Sequence, residues 1–415
     1  MKISKLRIQN IKCFKDIEIS FEDKEGGIKN WSLFVGDNGD GKTTILRSLA
    51  LGLCDQEGAS GLLLELHGEY LRRDAQEGII EIGIKNGTDE YYTIQTLIKD
   101  DSVSQKFMLG DSEEELSNRD LIREIREKVF AVAYGAARSV TGTESYEEYA
   151  IVDAVYTLFN YKHPQQNAEL GASRVKIDSN DQWKKLENIL KNVLTLNKED
   201  EISLTRTGLC IKTNRSQESF NTLSDGYKSL TSVIIDFLTW NLMYRNDEDF
   251  DLSNLSGIFI IDELEQHLHP KWQRNIIKFL SEQFPEVQFI CSTYSPVCAL
   301  GLSDLDDGSW LFKTAFINGH GNIEKFDLRE EFKGYRVDQI LISEIFDLSD
   351  TRSISIQKKL ETYREIYLKK ASERSEEDRK IFHDIEEELK HLPMWDSEKD
   401  KQQREELLDL LNNYS

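Results

Sequence analysis

The chain has 415 residues, 39% of them hydrophobic, so it can bury a large core, and its length alone predicts two or three domains. A formal net charge of −23 argues against a broad nonspecific nucleic-acid surface, while leaving room for a local basic groove formed on dimerisation. Five scattered cysteines (Cys13, Cys54, Cys210, Cys291 and Cys298) form no CxxC or zinc spacing, and no apolar stretch reaches about 18 residues, so packed thiols in a reducing cytoplasm are expected, without secretion or membrane insertion.

In chain order, the residues from Ile3 to Phe14 alternate like a strand. The apolar run Ser32-Leu33-Phe34-Val35 leads into Gly36-Asp37-Asn38-Gly39-Asp40-Gly41-Lys42-Thr43, and Thr44 to Leu51 then has helical apolar spacing. Strand, phosphate loop and helix in that order predict a mononucleotide site for ATP. Gly36, Gly39 and Gly41 let the backbone wrap with its N–H groups inward, and the helix N-terminus adds positive partial charge. Lys42 is expected to reach the β- and γ-phosphates and the Thr43 hydroxyl to ligate Mg2+, with Asn38 and Thr44 completing the candidate contacts.

Glu77–Ile84 and Tyr91–Ile98 alternate around Lys85-Asn86-Gly87-Thr88 and predict a hairpin. A helix near 117–127 and a strand over Val129–Ala133 lead to Tyr134-Gly135-Ala136-Ala137-Arg138. Arg138 is read there as approaching phosphate or coupling two lobes, with a surface or salt-bridged arginine as the bland alternative. Residues 139–215 form an insertion with helical elements over Tyr149–Phe159 and Trp183–Leu194, then a strand pair at Glu201–Leu204 and Gly208–Thr213. The run Ile258-Phe259-Ile260-Ile261 predicts a strand buried on both faces, delivering Asp262 and Glu263 at its carboxyl edge beside the phosphate loop. Asp262 is expected to hold Mg2+, and Glu263 to polarise the attacking water.

His267 and His269 lack a second spaced pair or a cysteine and predict no zinc site. After about residue 326 the chain turns charged and helical, with helices expected over 354–371, 375–391 and 397–412. Alternating charges there read as a solvated face. The stripe Ile381, Ile385, Leu389 and Leu392, with Trp395 beyond, points instead to docking on another subunit or a partner. Asp304-Leu305-Asp306-Asp307 reads as an acidic turn, and His383 and His391 alone make no HNH site.

Several of these segments carry a resemblance. Leu223-Ser224-Asp225-Gly226-Tyr227, followed by an apolar helix, resembles the signature of ABC-type ATPases; the amino terminus resembles the opening of RecF- and SMC-like ATPases; and Glu263-Leu264-Glu265-Gln266-His267-Leu268-His269-Pro270 is similar to that family's segment after Walker B. Tyr134–Arg138 is similar to a Y-G-A-x-R sequence of related defence ATPases, and Tyr335–Ser353 resembles a carboxy-terminal segment of the PtuA ATPases of Septu antiphage systems, including versions carried by retrons. The resemblance implies an α/β fold: an ABC-type ATPase head, a mixed sheet with a P-loop core and an antiparallel subdomain, bearing a helical insertion and a helical C-terminal tail. Its implied parts are an N-terminal lobe at 1–138, the insertion at 139–215, a C-terminal lobe at 216–325 and a tail at 326–415.

It also implies that Ser224 and Gly226 close over the γ-phosphate held by a second subunit, so that ATP lies between the subunits of a homodimer or higher homo-oligomer. Tyr294, in Ser292-Thr293-Tyr294-Ser295-Pro296, stands where the relatives carry a histidine that contacts the γ-phosphate and the attacking water. A phenol cannot switch charge near neutral pH as imidazole does, so slow hydrolysis, or ATP binding used as a clamp, is expected. By analogy the chain would control a separate HNH nuclease partner, and DNA or other nucleic acid would be reached through the assembled complex. The alternative is a RecF/SMC-like repair ATPase that clamps DNA and is stimulated by it.

Overall fold

The computed structural model describes residues 1–66, 69–87, 90–99, 102–112, 114–138, 146–194, 196–205, 208–214, 217–245, 251–305, 308–328, 332–369 and 374–390. They divide into two compact units, Met1–Asp347 and the described part of Leu348–Ser415.

In the first unit β1 (Lys2–Ile11) and β2 (Phe14–Ser20) form a hairpin, then come β3 (Trp31–Val35), α1 (Lys42–Leu53) and α2 (Gln56–Glu65). The single amino-terminal strand expected through Phe14 is therefore two, because Lys12 takes a left-handed turn (φ 46°) that reverses the chain. The strands β4 (Glu77–Asn86), β5 (Glu90–Lys99) and β6 (Ser102–Leu109) complete an antiparallel sheet of order β2-β1-β4-β5-β6. Next are α3 (Arg119–Glu127), β7 (Ala131–Tyr134), α4 (Ile151–Val155), α5 (Ala168–Asp178) and α6 (Asn180–Val193). A small antiparallel sheet follows, β8 (Glu201–Thr205), β9 (Gly208–Lys212) and β10 (Gln217–Ser219), and then the 21-residue α7 (Asp225–Arg245). The unit closes with β11 (Ser256–Ile261), α8 (Pro270–Gln283), β12 (Glu286–Ser292), α9 (Pro296–Gly301), β13 (Trp310–Ile317), β14 (His320–Phe326) and α10 (Val337–Leu341).

The central sheet has the order β14-β13-β3-β12-β11-β7, with all neighbours parallel except the β13–β14 hairpin at one edge. Its inner strands β3, β11 and β12, with β7 at the far edge, are buried at nearly every position and mostly apolar because both faces are covered. In β11, Ile258 and Ile260 pack with α1 and the antiparallel sheet, while Phe259 and Ile261 point into the opposite layer with α7 and α8. Leu33 and Phe34 of β3 divide in the same way. Each such fully buried side chain contributes roughly 1.5–3 kcal/mol of transfer free energy. The consequence for function is positional. Every parallel strand ends at the same edge of the sheet, so the residues after β3, β7, β11 and β12 meet there.

The helix expected near Tyr149–Phe159 is shorter than its apolar run, with α4 passing into a 3-10 turn at Tyr156–Leu158. The tail is less continuously helical than its composition predicts: between α10 and residue 353 the chain runs mostly in turns. The second unit is a helical pair, α11 (Ile354–Leu368) and α12 (Glu376–Lys390), joined by the stack of Tyr363 on Phe382 (centroids 4.3 Å apart) with the Arg374 guanidinium 5.2 Å from the Phe382 ring. The expected helix at 397–412, with His391, Leu392, Trp395, Asp306, Asp307 and Thr88, lies outside the described residues.

Candidate nucleotide site

The loop from Gly36 to Gly41 joins the end of β3 to the start of α1, and Gly36, Gly39 and Gly41 all have positive φ (149°, 89° and 96°). Gly41 is required twice over. Its φ is left-handed, and a Cβ there would lie 2.5 Å from the Phe14 ring and 2.7 Å from Cys13 Sγ. The β1–β2 turn is thereby pressed against the first turn of α1. Asp40 closes the loop by accepting from Asp37 N at 2.8 Å, while Asn38 is exposed at its tip.

Lys42 is 3% exposed, and its ammonium donates to Gly36 O (2.7 Å) and Asp37 O (2.9 Å), folding over its own loop. The Tyr294 ring lies 3.9 Å from Lys42 Nζ, a cation–π contact. Burial lowers the Lys42 pKa, and nearby Asp40, Asp262, Asp37 and Glu263 oppose that shift. Thr43 Oγ1 donates to Asp262 Oδ2 at 2.7 Å across 219 residues of sequence. Ser292, the last residue of β12, donates from Oγ to Asp262 Oδ1 and accepts from Glu263 N at 2.8 Å. The main chain of Thr44 serves the helix: its carbonyl accepts from Ser48 Oγ at 2.8 Å and from the Tyr70 hydroxyl.

Glu263 leaves the strand with φ 50°, a costly conformation for a non-glycine residue. Arg138 supports that turn. Its guanidinium, 7% exposed, donates to the carbonyls of Asp262 (2.9 Å) and Glu263, so it faces the back of this turn. Burial pulls its pKa down to about 10, and among the described residues its Nε has no hydrogen-bond partner. Burial, then Asp262 and Glu265, push the Glu263 carboxyl above its ordinary range. Glu265 accepts from Thr293 Oγ1 (2.6 Å) and Tyr294 N (2.7 Å), and so fixes the loop carrying the Tyr294 ring. Tyr294 is 39% exposed; burial first, then Glu263 and Asp262, raise its pKa.

Thus Lys42, Thr43, Asp262, Glu263, Tyr294 and Arg138 gather at one sheet edge. Ser224 and Gly226 do not join them by hydrogen bonds among the described residues. They open α7, Ser224 exposed and Gly226 pressed on the carbonyl of His267, where a Cβ would lie 2.2 Å from that oxygen. His269 caps α8, its Nδ1 accepting from Lys271 N at 3.3 Å.

Residues 1–229 match the AAA ATPase domain model, which covers more than half of the chain. The chain belongs to that family. Among curated relatives this AAA ATPase is similar to the Septu protein PtuA of Bacillus mycoides (strain KBAB4), 28% identical over 354 residues, 84% of this chain and 45% of the relative. It is also similar to the Retron Vc95 probable ATPase of Vibrio cholerae serotype O1 biovar El Tor, 38% identical over 101 residues, 24% of this chain and 20% of that one. The chain thus spans less than half the length of these relatives. The solved SmcHead bound to the C-winged helix domain of ScpA covers 80% of this chain and 99% of its own at a TM-score of 0.52 and 15% identity. That likeness gives the AAA ATPase the fold of an SMC head, the ABC-type α/β head expected from the signature and Walker segments.

The oxygen set Thr43 and Asp262 suits Mg2+, a hard cation that takes hydroxyl, carboxylate and water ligands. The loop amides and Lys42, whose ammonium has only backbone carbonyls as hydrogen-bond partners among the described residues, suit phosphate. Sequence reasoning missed Ser292 and Glu265 as participants. The one signal for them was their place in the two acidic and Ser/Thr segments already singled out.

Proposed function

We propose that this chain binds ATP with Mg2+ as the ATPase subunit of a bacterial antiphage defence system of the Septu type, acting in the cytoplasm. In this reading it assembles as a homodimer or higher oligomer and regulates a separate HNH nuclease partner. The observation that carries the nucleotide reading is the hydrogen bond from Thr43 to Asp262, which joins the phosphate loop to the acid-tipped strand. Likeness to PtuA over 84% of the chain supports the defence role.

Gly36, Asn38, Gly39, Gly41 and Thr44 belong to the phosphate cradle, with Lys42 leaving the carbonyls of Gly36 and Asp37 for a phosphate oxygen. Beside Gly39 and Thr44 a cleft of about 1010 Å³, walled by Lys12, Arg72 and Arg73, offers room for the nucleoside. Thr43 and Asp262 would hold Mg2+, which neutralises phosphate charge when bound. Glu263, held by Arg138 and Ser292, would orient and polarise a water, and Tyr294 would donate to the γ-phosphate. Ser224 and Gly226 at the head of α7 would close on the phosphate of a second copy.

A well-supported Glu263 also favours a second reading, a RecF/SMC-like ATPase that clamps DNA and turns over ATP. Steady-state hydrolysis with and without double-stranded DNA separates the two, alongside binding of a fluorescent ATP analogue. Lys42→Ala is expected to abolish analogue binding, and unchanged affinity would sink the site assignment. Brisk DNA-stimulated turnover lost in Glu263→Gln would favour the clamp, whereas bound ATP with almost no turnover would favour the nucleotide-gated regulator.

A further inference from the structure

The strand β7 lies at one edge of the central sheet, and its outer side is held by side chains of the insertion instead of by another strand. The Tyr149 hydroxyl accepts from Ala131 N (3.0 Å) and donates to Ala131 O (2.9 Å), and Thr157 Oγ1 donates to Ala133 O (3.0 Å). On its inner side β7 pairs with β11 in a register that sets Tyr134 beside Ile261, and Tyr134 O accepts from Asp262 N at 2.9 Å. The same residue reaches the other way through its side chain. Its hydroxyl donates to Asp236 Oδ2 at 2.8 Å, eleven residues into α7 from Asp225. The Asp236 carboxylate is 4% exposed and accepts from Gln166 N (3.1 Å), in the segment just before α5. No cation pairs with it among the described residues. One carboxylate therefore ties the insertion and the helix that opens with Ser224 and Gly226 to β7, the strand whose Tyr134 carbonyl holds the N–H of the candidate metal ligand Asp262.

We propose that Tyr134 and Asp236 are positioning residues, a joint through which the placement of the insertion and of α7 is transmitted to the backbone of Asp262. This rests on the nucleotide reading of the Asp262 site. A packed interior passes small displacements along contiguous hydrogen bonds and side chains, and a two-ended residue such as Tyr134 leaves no compliant link between the two parts. Any protein that docks on the insertion would then act on the site without touching it. Nucleotide bound at the site would in turn act on α7.

The test uses hydrogen exchange of the full chain read by mass spectrometry, with and without a nonhydrolysable ATP analogue and Mg2+, and with analogue affinity measured separately. Without nucleotide, Asp236→Leu on α7 is expected to speed exchange in peptides spanning 258–264 by roughly fivefold, the worth of one buried hydrogen bond, and Asp236→Asn, which keeps a hydrogen bond to the Tyr134 hydroxyl, to exchange no faster than native protein. Unchanged exchange at 258–264 in Asp236→Leu overturns the joint. With the analogue, native protein is expected to gain protection in α7, and Tyr134→Phe, which keeps the ring against Phe259, to bind the analogue but lose that gain. An equal gain in both proteins overturns the joint as well. Failure of the native protein to bind the analogue would instead sink the nucleotide reading, and the ligand-free arm still decides the joint.

Discussion

Asp236→Asn offers a measurement of what the buried carboxylate costs. Burial pushes the Asp236 carboxyl from its ordinary 3.8 up to about 7, against the opposing hydrogen bonds from Tyr134 and Gln166. A shift of about three pH units at 1.36 kcal/mol each amounts to about 4 kcal/mol, and at 4% exposure solvent screens little of it. The sign follows from proton counting. Because the folded value lies above the unfolded one, the folded chain binds the extra proton between about 4 and 7, so stability is full below that window and falls as pH rises through it. Asparagine removes the titration: its oxygen can take Gln166 N while its amide meets the Tyr134 hydroxyl, which turns to accept. The variant should therefore gain little on native protein near pH 4.5 and progressively more toward pH 8, by roughly 3 kcal/mol in all, with a plateau above. Urea unfolding of both proteins across pH 5 to 8.5 checks this. A pH-independent offset, or a variant less stable than native at pH 8, would refute the argument that burial of this carboxylate outweighs its hydrogen bonds.

Ser292→Ala strips Asp262 of a donor and leaves Glu263 N without its acceptor, so a loss of about 1–3 kcal/mol in unfolding is expected together with weaker Mg2+-dependent analogue binding. Full Mg2+-dependent affinity would show that the serine is not needed to hold the acid. Gly41→Ala must place a Cβ against Phe14 and Cys13 at φ 96°, which costs about 1–3 kcal/mol and should lower the melting temperature while abolishing analogue binding. A native melting temperature would mean that the β1–β2 turn yields freely. For Tyr294, phenylalanine should preserve the contact with Lys42, whereas leucine should cost about 0.5–1 kcal/mol in chemical unfolding; equal losses in both would assign the effect to the hydroxyl. Ser224→Arg should block ATP-dependent self-association, followed by light scattering, with analogue affinity of the monomer retained. Normal association would count against the shared-site geometry.

What the sequence determined by itself is local chemistry and periodicity. The phosphate loop needs its glycines and lysine consecutively, a strand buried on both faces needs an unbroken apolar run, and the SMC-head fold follows from those segments in that order. The antiparallel pairs β4–β5 and β8–β9 were legible because apolar alternation is a short-range signal, reinforced in the first by the turn sequence at Lys85-Asn86-Gly87-Thr88. The β13–β14 pair, which extends the parallel sheet beyond β3, was not. Trp310–Ile317 gains its place only by pairing with a strand nearly 280 residues away.

Only the tertiary structure decided where side chains point once several elements converge. For Arg138, whose sequence position left its contacts open, packing sets the guanidinium donating to the carbonyls of Asp262 and Glu263. Ser292 and Glu265 are polar residues without periodicity, and what they hold depends on the meeting of β11 and β12 at one edge. Asp236 shows the limit most clearly. The run Ile234-Ile235-Asp236-Phe237-Leu238 displays an acid among apolar residues, but whether that acid faces water or a buried tyrosine is set by the long-range contact with β7, which no local propensity encodes.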